Sequence, residues 1–319
     1  MVQTLKTFFK LIRWPNLLII ILAQVLINYL LIGHILKLIN VPLPLSGLHF
    51  FLLVLSTVAM AAFGYIFNDI NDVDVDRVNK DNKQIIGNHI TKKAATKLLW
   101  AFLLISLLSA LVLTLLVQMW QLFLIHVFIA VGLWYYSVHL KGTIIFGNLV
   151  ISLFSALSIA IVWVYHLAIM SQNPTLLINA YKSVSFISYS VAFYAAFAFI
   201  ISWIREMIKD VEDQNGDALF GWKTFVIKFG EAKTKVFIQA LLIVMIVMLI
   251  AAIFLCYTLN WGQLGIYLAV AVGFPLFYLF NGIRQANSVK DFHDLSNLAK
   301  IIMIAGILSI QLFNLNYGS

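Results

Sequence analysis

Asn68 to Lys83 is a run of sixteen residues holding five carboxylates and three cations, and it follows directly on a long apolar stretch. Asp69, Asp72 and Asp76 stand at i, i+3 and i+7, and Asp210, Asp213 and Asp217 repeat that spacing. At about 100° per residue, such positions share one face of a helix. Each stretch is therefore expected to present one acidic ridge. Glu206, one turn before Asp210, joins the second ridge, while Asp74 and Glu212 turn away. Stacked carboxylates repel unless a cation neutralises them. The expected cation is Mg²⁺, which takes a few carboxylates, waters and phosphate oxygens. Two facing ridges would hold it with a diphosphate bridging, and neutralised diphosphate leaves readily. Lys80, Lys83 and Lys141 are candidates to bind phosphate oxygens. With an isoprenoid diphosphate, C–O cleavage yields an allylic cation that the Tyr136 ring can stabilise, and apolar helices would hold the tail.

The elements that must position these residues are membrane helices. The 319 residues are 62% hydrophobic and 11% charged, against about 25% charged in soluble domains. Apolar runs of about 20 residues predict nine spans, at 17–37, 48–67, 98–116, 119–136, 144–166, 185–204, 235–257, 263–281 and 297–314, in an all-α polytopic membrane protein. Residues 1–319 read as one integral-membrane domain, with the first span a retained anchor rather than a signal peptide. Of the 21 Lys and Arg, all but Lys37 and Lys182 fall on the side of the N-terminus. The positive-inside rule places that side in the cytoplasm. All 13 Asp and Glu fall there too, although carboxylates do not follow that rule. Their one-sidedness points to a single polar, cytoplasm-facing site.

Other residues are read locally. Arg13-Trp14-Pro15 suits an interfacial helix start, and Asn16, opening an apolar helix, is a candidate to face a cavity. Asn148, one turn into the fifth span, needs a polar partner. His166, Asn173 and Lys182 read as loop residues on the opposite side. The helix carrying the second acidic stretch is expected to end near Gly216, with a turn at Gly221–Thr224. The lone Cys256 reads as buried apolar filler.

Together these residues resemble the UbiA superfamily of intramembrane prenyltransferases. Its first motif is matched by Asn68, Asp69, Asp72 and Asp76, followed by Lys80 and Lys83. Its second is matched by Asp210, Asp213, Gly216 and Asp217, preceded by Lys209 and followed by Gly221 and Thr224. A third segment is matched by Tyr136, Ser137, Leu140, Lys141, Gly147 and Asn148. The resemblance spans the whole chain. It implies a nine-helix bundle, Mg²⁺ between the two acidic motifs and a prenyl diphosphate donor held by metal and basic residues. On that reading the metal ligands are Asp69, Asp72, Asp76, Asp210, Asp213 and Asp217, supported by Asn68. Lys80, Lys83, Tyr136, Lys141, Asn148, Lys209 and Asn16 bind substrate. The chain has Lys83-Gln84 where the family often has Arg-Pro, and Thr224-Phe225-Val226 where it often has Thr-Leu-Pro. These departures weaken assignment to the quinone-forming branches and remove no carboxylate. Within the superfamily the chain looks most similar to digeranylgeranylglyceryl phosphate synthases, which prenylate a glycerol phosphate ether lipid. An aromatic acceptor, as in quinone or haem O synthesis, stays open.

The rival class is a non-catalytic lipid or ion carrier. Its acids belong at mid-membrane depth, and here the spans carry almost none away from one end. The expected partners are a prenyl diphosphate, a lipid or aromatic acceptor and membrane lipids, with no nucleic acid.

Overall fold

The computed structural model describes residues 2–75 and 85–316. Among the described residues, nine helices are long and apolar enough to cross a membrane: α1 (Trp14–Leu38), α2 (Gly47–Asn71), α3 (Lys92–Leu116), α4 (Trp120–Leu140), α5 (Phe146–Ser171), α6 (Tyr181–Glu212), α7 (Glu231–Thr258), α8 (Gly262–Gln285) and α9 (Val289–Leu312). Each expected apolar run coincides with one of them. The protein is an integral membrane protein. Several helices continue past their apolar part at the charged end: α6 runs to Glu212 and α9 begins at Val289. Apolar length reports only the part that fits the hydrocarbon layer, whereas backbone hydrogen bonding carries a helix on into polar surroundings.

Local sequence explains the starts. Ser46 and Thr91 cap α2 and α3, accepting from the backbone N–H of His49 and Ala94 at 3.3 and 3.2 Å. Ser288 and Asp291 cap α9 reciprocally. Pro15 sits in the first turn of α1. Before it, a short helix at Val2–Leu11, not anticipated from apolar length, turns into α1 through Arg13 at φ 51°. Gln118, at φ 58°, closes the tight α3–α4 hairpin.

α6 packs against α5, α7 and α9, while α2 packs against α1, α3 and α4. Cys256 is buried in α7. Polar side chains inside the apolar layer pair across helices, as they must where water is absent. His126 Nδ1 and Nε2 each lie 2.9 Å from a hydroxyl, those of Ser56 and Tyr165, which links α4 to α2 and α5. His166 corrects the loop assignment. Because α5 runs to Ser171, His166 is fully buried, with Nε2 2.7 Å from Asn28 Oδ1 of α1.

Candidate active site

α2 and α6 stop at the same end of the bundle, and each stops one residue before an aspartate. Asp72 (φ −94°, ψ 3°) follows Asn71, and Asp213 (φ −96°, ψ 1°) follows Glu212. The two continuous acidic ridges are therefore replaced by two helix ends. Asp69 and Asp210 lie on the last turns, and Asp72 and Asp213 on the caps. Asp217 sits in a separate short helix, Gln214–Leu219, so the second helix ends at Glu212 rather than near Gly216. An aspartate side chain competes with its own backbone for hydrogen bonds and favours such boundaries. The partial negative charge of a helix C-terminus adds to the carboxylates, and both ends attract cations.

The cations on the first end come from elsewhere in the chain. Arg13 Nη2 donates to Asp69 Oδ1 at 2.7 Å, and the guanidinium lies 5.0 Å from the Tyr65 ring centre. Lys141 Nζ donates to Asn68 Oδ1 at 2.7 Å and forms an ion pair with Asp72. Its placement has a local cause. The last turn of α4, Tyr136–Leu140, is π-helical, closed by the Lys141 N–H donating to the Tyr136 carbonyl at 2.8 Å. Gly142 then adopts φ 76°, and a Cβ there would stand 2.6 Å from Trp222 Cγ. The Gly142 carbonyl accepts from the Lys223 N–H at 2.7 Å, tying the α4–α5 loop to the segment after the second acidic end. Burial, reinforced by the Arg13 guanidinium, pushes the Lys141 ammonium down to about 7, with Asp69 and Asp217 pulling the other way. On the second end, Asn148 of α5 donates to Asp210 Oδ2 at 2.7 Å.

These groups surround one cavity of about 320 Å³, whose lining includes Asn16, Asn68, Asp72, Tyr136, Lys141, Asn148, Lys209, Asp210 and Asp213. Nine of the residues singled out from sequence are thus brought together. Asp69 stands behind the wall on Arg13 and Asp217 is buried outside the lining. Asp76, Lys80 and Lys83 lie outside the described residues. Sequence reading gave no site role to Arg13, Tyr65, Arg205, Trp222 and Lys300, which also line the cavity, as do Glu206 of the second acidic stretch and Thr224 of the second motif. Arg13 was read as an interfacial anchor and Arg205 and Lys300 as determinants of orientation. At Lys300 the missed signal was a cation within an otherwise apolar helix turn, which marks a cavity wall. Below the charged end the lining becomes apolar, through Met60, Leu133, Ile151, Phe197 and Ile201.

The donor set suits a hard cation. Asp72 Oδ1 is buried with no hydrogen-bond partner among the described residues, and the neighbouring side-chain donors are carboxylate and amide oxygens. Among the described residues, no three carboxylates or imidazoles gather at one point. Mg²⁺ commonly takes only one or two carboxylates and completes its shell with water and phosphate, so the residues fit it.

A family model described as the UbiA prenyltransferase family matches residues 16–301. The chain is 28% identical over 275 residues to the digeranylgeranylglyceryl phosphate synthase of Saccharolobus solfataricus, covering 86% of this chain and 87% of that protein. It is 26% identical over 309 residues to the enzyme of that name from Methanobrevibacter smithii, covering 97% and 98%. A solved structure described as giving insight into digeranylgeranylglyceryl phosphate synthase in membranes aligns with a TM-score of 0.59 at 21% identity, over 97% of this chain and 99% of that one. A UbiA homologue from Archaeoglobus fulgidus, bound to GPP and Mg²⁺, aligns with a TM-score of 0.55 at 16% identity, over 95% and 99%. At these identities the structural likeness is one of fold. With the family model covering nearly the whole helical bundle, the chain belongs to the UbiA prenyltransferase family.

Proposed function

We propose that this protein transfers a prenyl group from a prenyl diphosphate to the free hydroxyl of geranylgeranylglyceryl phosphate, with Mg²⁺ as cofactor and the site opening to the cytoplasm. The observation that carries this reading is that the acidic ends of α2 and α6 line one cavity whose floor is apolar. Such a cavity suits a molecule with a polyanionic head and a hydrocarbon tail. The near full-length relatives named digeranylgeranylglyceryl phosphate synthase support the choice of acceptor. The charge asymmetry of the loops supports the sidedness.

Asp72, Asp210 and Asp213 would hold the cation, with Asp69 and Asp217 behind them and Asp76 completing the first motif. Mg²⁺, when bound, neutralises the leaving diphosphate. Asn68 orients Lys141, whose ammonium is placed to meet diphosphate oxygens; Lys209 reinforces it, as do Lys80 and Lys83 by the spacing of their motif. The C–O bond of the donor breaks with both electrons going to the diphosphate oxygen. The acceptor oxygen bonds to the prenyl carbon and passes its proton to the departed diphosphate. Tyr136 presents its ring to the allylic centre, Asn148 fixes Asp210, and Asn16 contributes a polar group at the head of α1.

Detergent-solubilised protein with labelled geranylgeranyl diphosphate and geranylgeranylglyceryl phosphate is expected to form the diether in Mg²⁺, and to stop in EDTA. No diphosphate release with either this acceptor or an aromatic acid would overturn the assignment in favour of a carrier. Transfer to the aromatic acid alone would replace the acceptor and keep the chemistry.

A further inference from the structure

The donor end of the cavity does not use all of its cations. Arg205 on α6 and Lys300 on α9 also line it. Arg205 Nη1 donates to Glu206 at 2.8 Å, but its Nε is buried with no hydrogen-bond partner among the described residues. Lys300 forms no ion pair among the described residues, although it sits in the apolar part of α9. A buried guanidinium N–H without an acceptor is costly. An ammonium on an apolar helix turn facing a cavity is retained when something anionic meets it. Lys300 lies within electrostatic reach of Arg205 as well as of Glu206, and the two cations stand on packed helices, α6 and α9.

Both helices also repeat one pattern. From Arg205, α6 steps into the membrane through Ile201 and Phe197. From Lys300, α9 steps through Met303 and Ile307. All of them line the same cavity, at the three- and four-residue spacing of one helix face. A cation above an apolar strip, on two packed helices, is the complement of a lipid with an anionic head.

We infer that Arg205 and Lys300 bind the phosphate of the acceptor, apart from the donor's diphosphate, and that the α6–α9 wall takes the acceptor's chain. This rests on the reading that the acceptor is a phosphate-bearing lipid. A phosphate monoester carries nearly two negative charges at neutral pH, which suits one guanidinium and one ammonium. The guanidinium adds a fixed donor fork. The acceptor would then be chosen by its charge as well as its chain.

The test compares geranylgeranylglyceryl phosphate with its dephosphorylated alcohol, measuring KM for acceptor and donor separately in Arg205→Gln, Arg205→Lys and Lys300→Gln. The expected result is a rise of about tenfold or more in acceptor KM for each Gln variant, with donor KM within about twofold and the preference for the phosphorylated acceptor largely lost. Arg205→Lys, which keeps the charge, should recover part of the binding. This recovery separates phosphate binding from a folding defect. An unchanged acceptor KM, a donor KM that rises in parallel, or an intact preference for the phosphorylated acceptor overturns the inference and leaves the proposed function standing. A wild-type protein that does not alkylate the phosphorylated acceptor overturns the proposed function, and this inference with it.

Discussion

Asp72 and Asn148 show how single side chains prepare this site. Asp72 meets Lys141 through one carboxylate oxygen and leaves the other buried with no hydrogen-bond partner among the described residues. An unpaired buried carboxylate oxygen is costly, so a ligating role explains its position better than packing does. Asp72→Ala and Asp213→Ala are each expected to lower prenyl transfer by about 100-fold or more while the protein still purifies as a folded membrane protein. Transfer rates alongside thermal unfolding check this, and retained turnover in both variants would remove the metal roles. Asn148 holds one oxygen of Asp210 at 2.7 Å. Asn148→Ala frees that carboxylate to rotate and is expected to raise the Mg²⁺ concentration needed for half-maximal activity by about tenfold. A Mg²⁺ titration at saturating donor measures this.

The connections between helices decide where the cations go. The spacing of the aspartates pointed to two unbroken acidic faces, but α2 and α6 both end within the motifs. Periodicity reports which face a residue would occupy if a helix continues, and cannot report where the chain leaves the helix. The loop between α4 and α5 is the clearest case. Its Lys141 was legible as a basic loop residue, but its contact with Asp72 depends on the π-helical turn and on Gly142. Gly142→Ala would place a methyl against Trp222 in a backbone conformation that favours glycine. We expect it to cost about 1–3 kcal/mol locally and to raise donor KM through misplacement of Lys141. Donor KM should respond more strongly than acceptor KM. Equal donor KM in mutant and wild type would show that the loop does not set the lysine's position.

Across the whole molecule, polar pairs in the apolar layer join helices distant in sequence. His166 of α5 and Asn28 of α1 lie 2.7 Å apart and are fully buried. His166→Leu strands the Asn28 amide and is expected to lower stability by about 1–2 kcal/mol, read as a lower Tm in detergent with little change in donor KM. Orientation is testable at the same scale. With Cys256 buried, a cysteine placed at Lys182 should react with an impermeant maleimide from outside intact cells, and one at Lys92 only after permeabilisation. The reverse pattern would invert the site's sidedness. Composition and the nine apolar runs were enough to establish a membrane bundle, and sequence reading pointed to nine of the polar residues that line the cavity. Hydrophobic length and charge are properties of the chain itself, so they survive without a fold. The partner of each charge was decided only by tertiary structure. Arg13 reaches Asp69 across 56 positions and Lys141 reaches Asp72 across 69, and contacts at such separations exist only once the helices have packed.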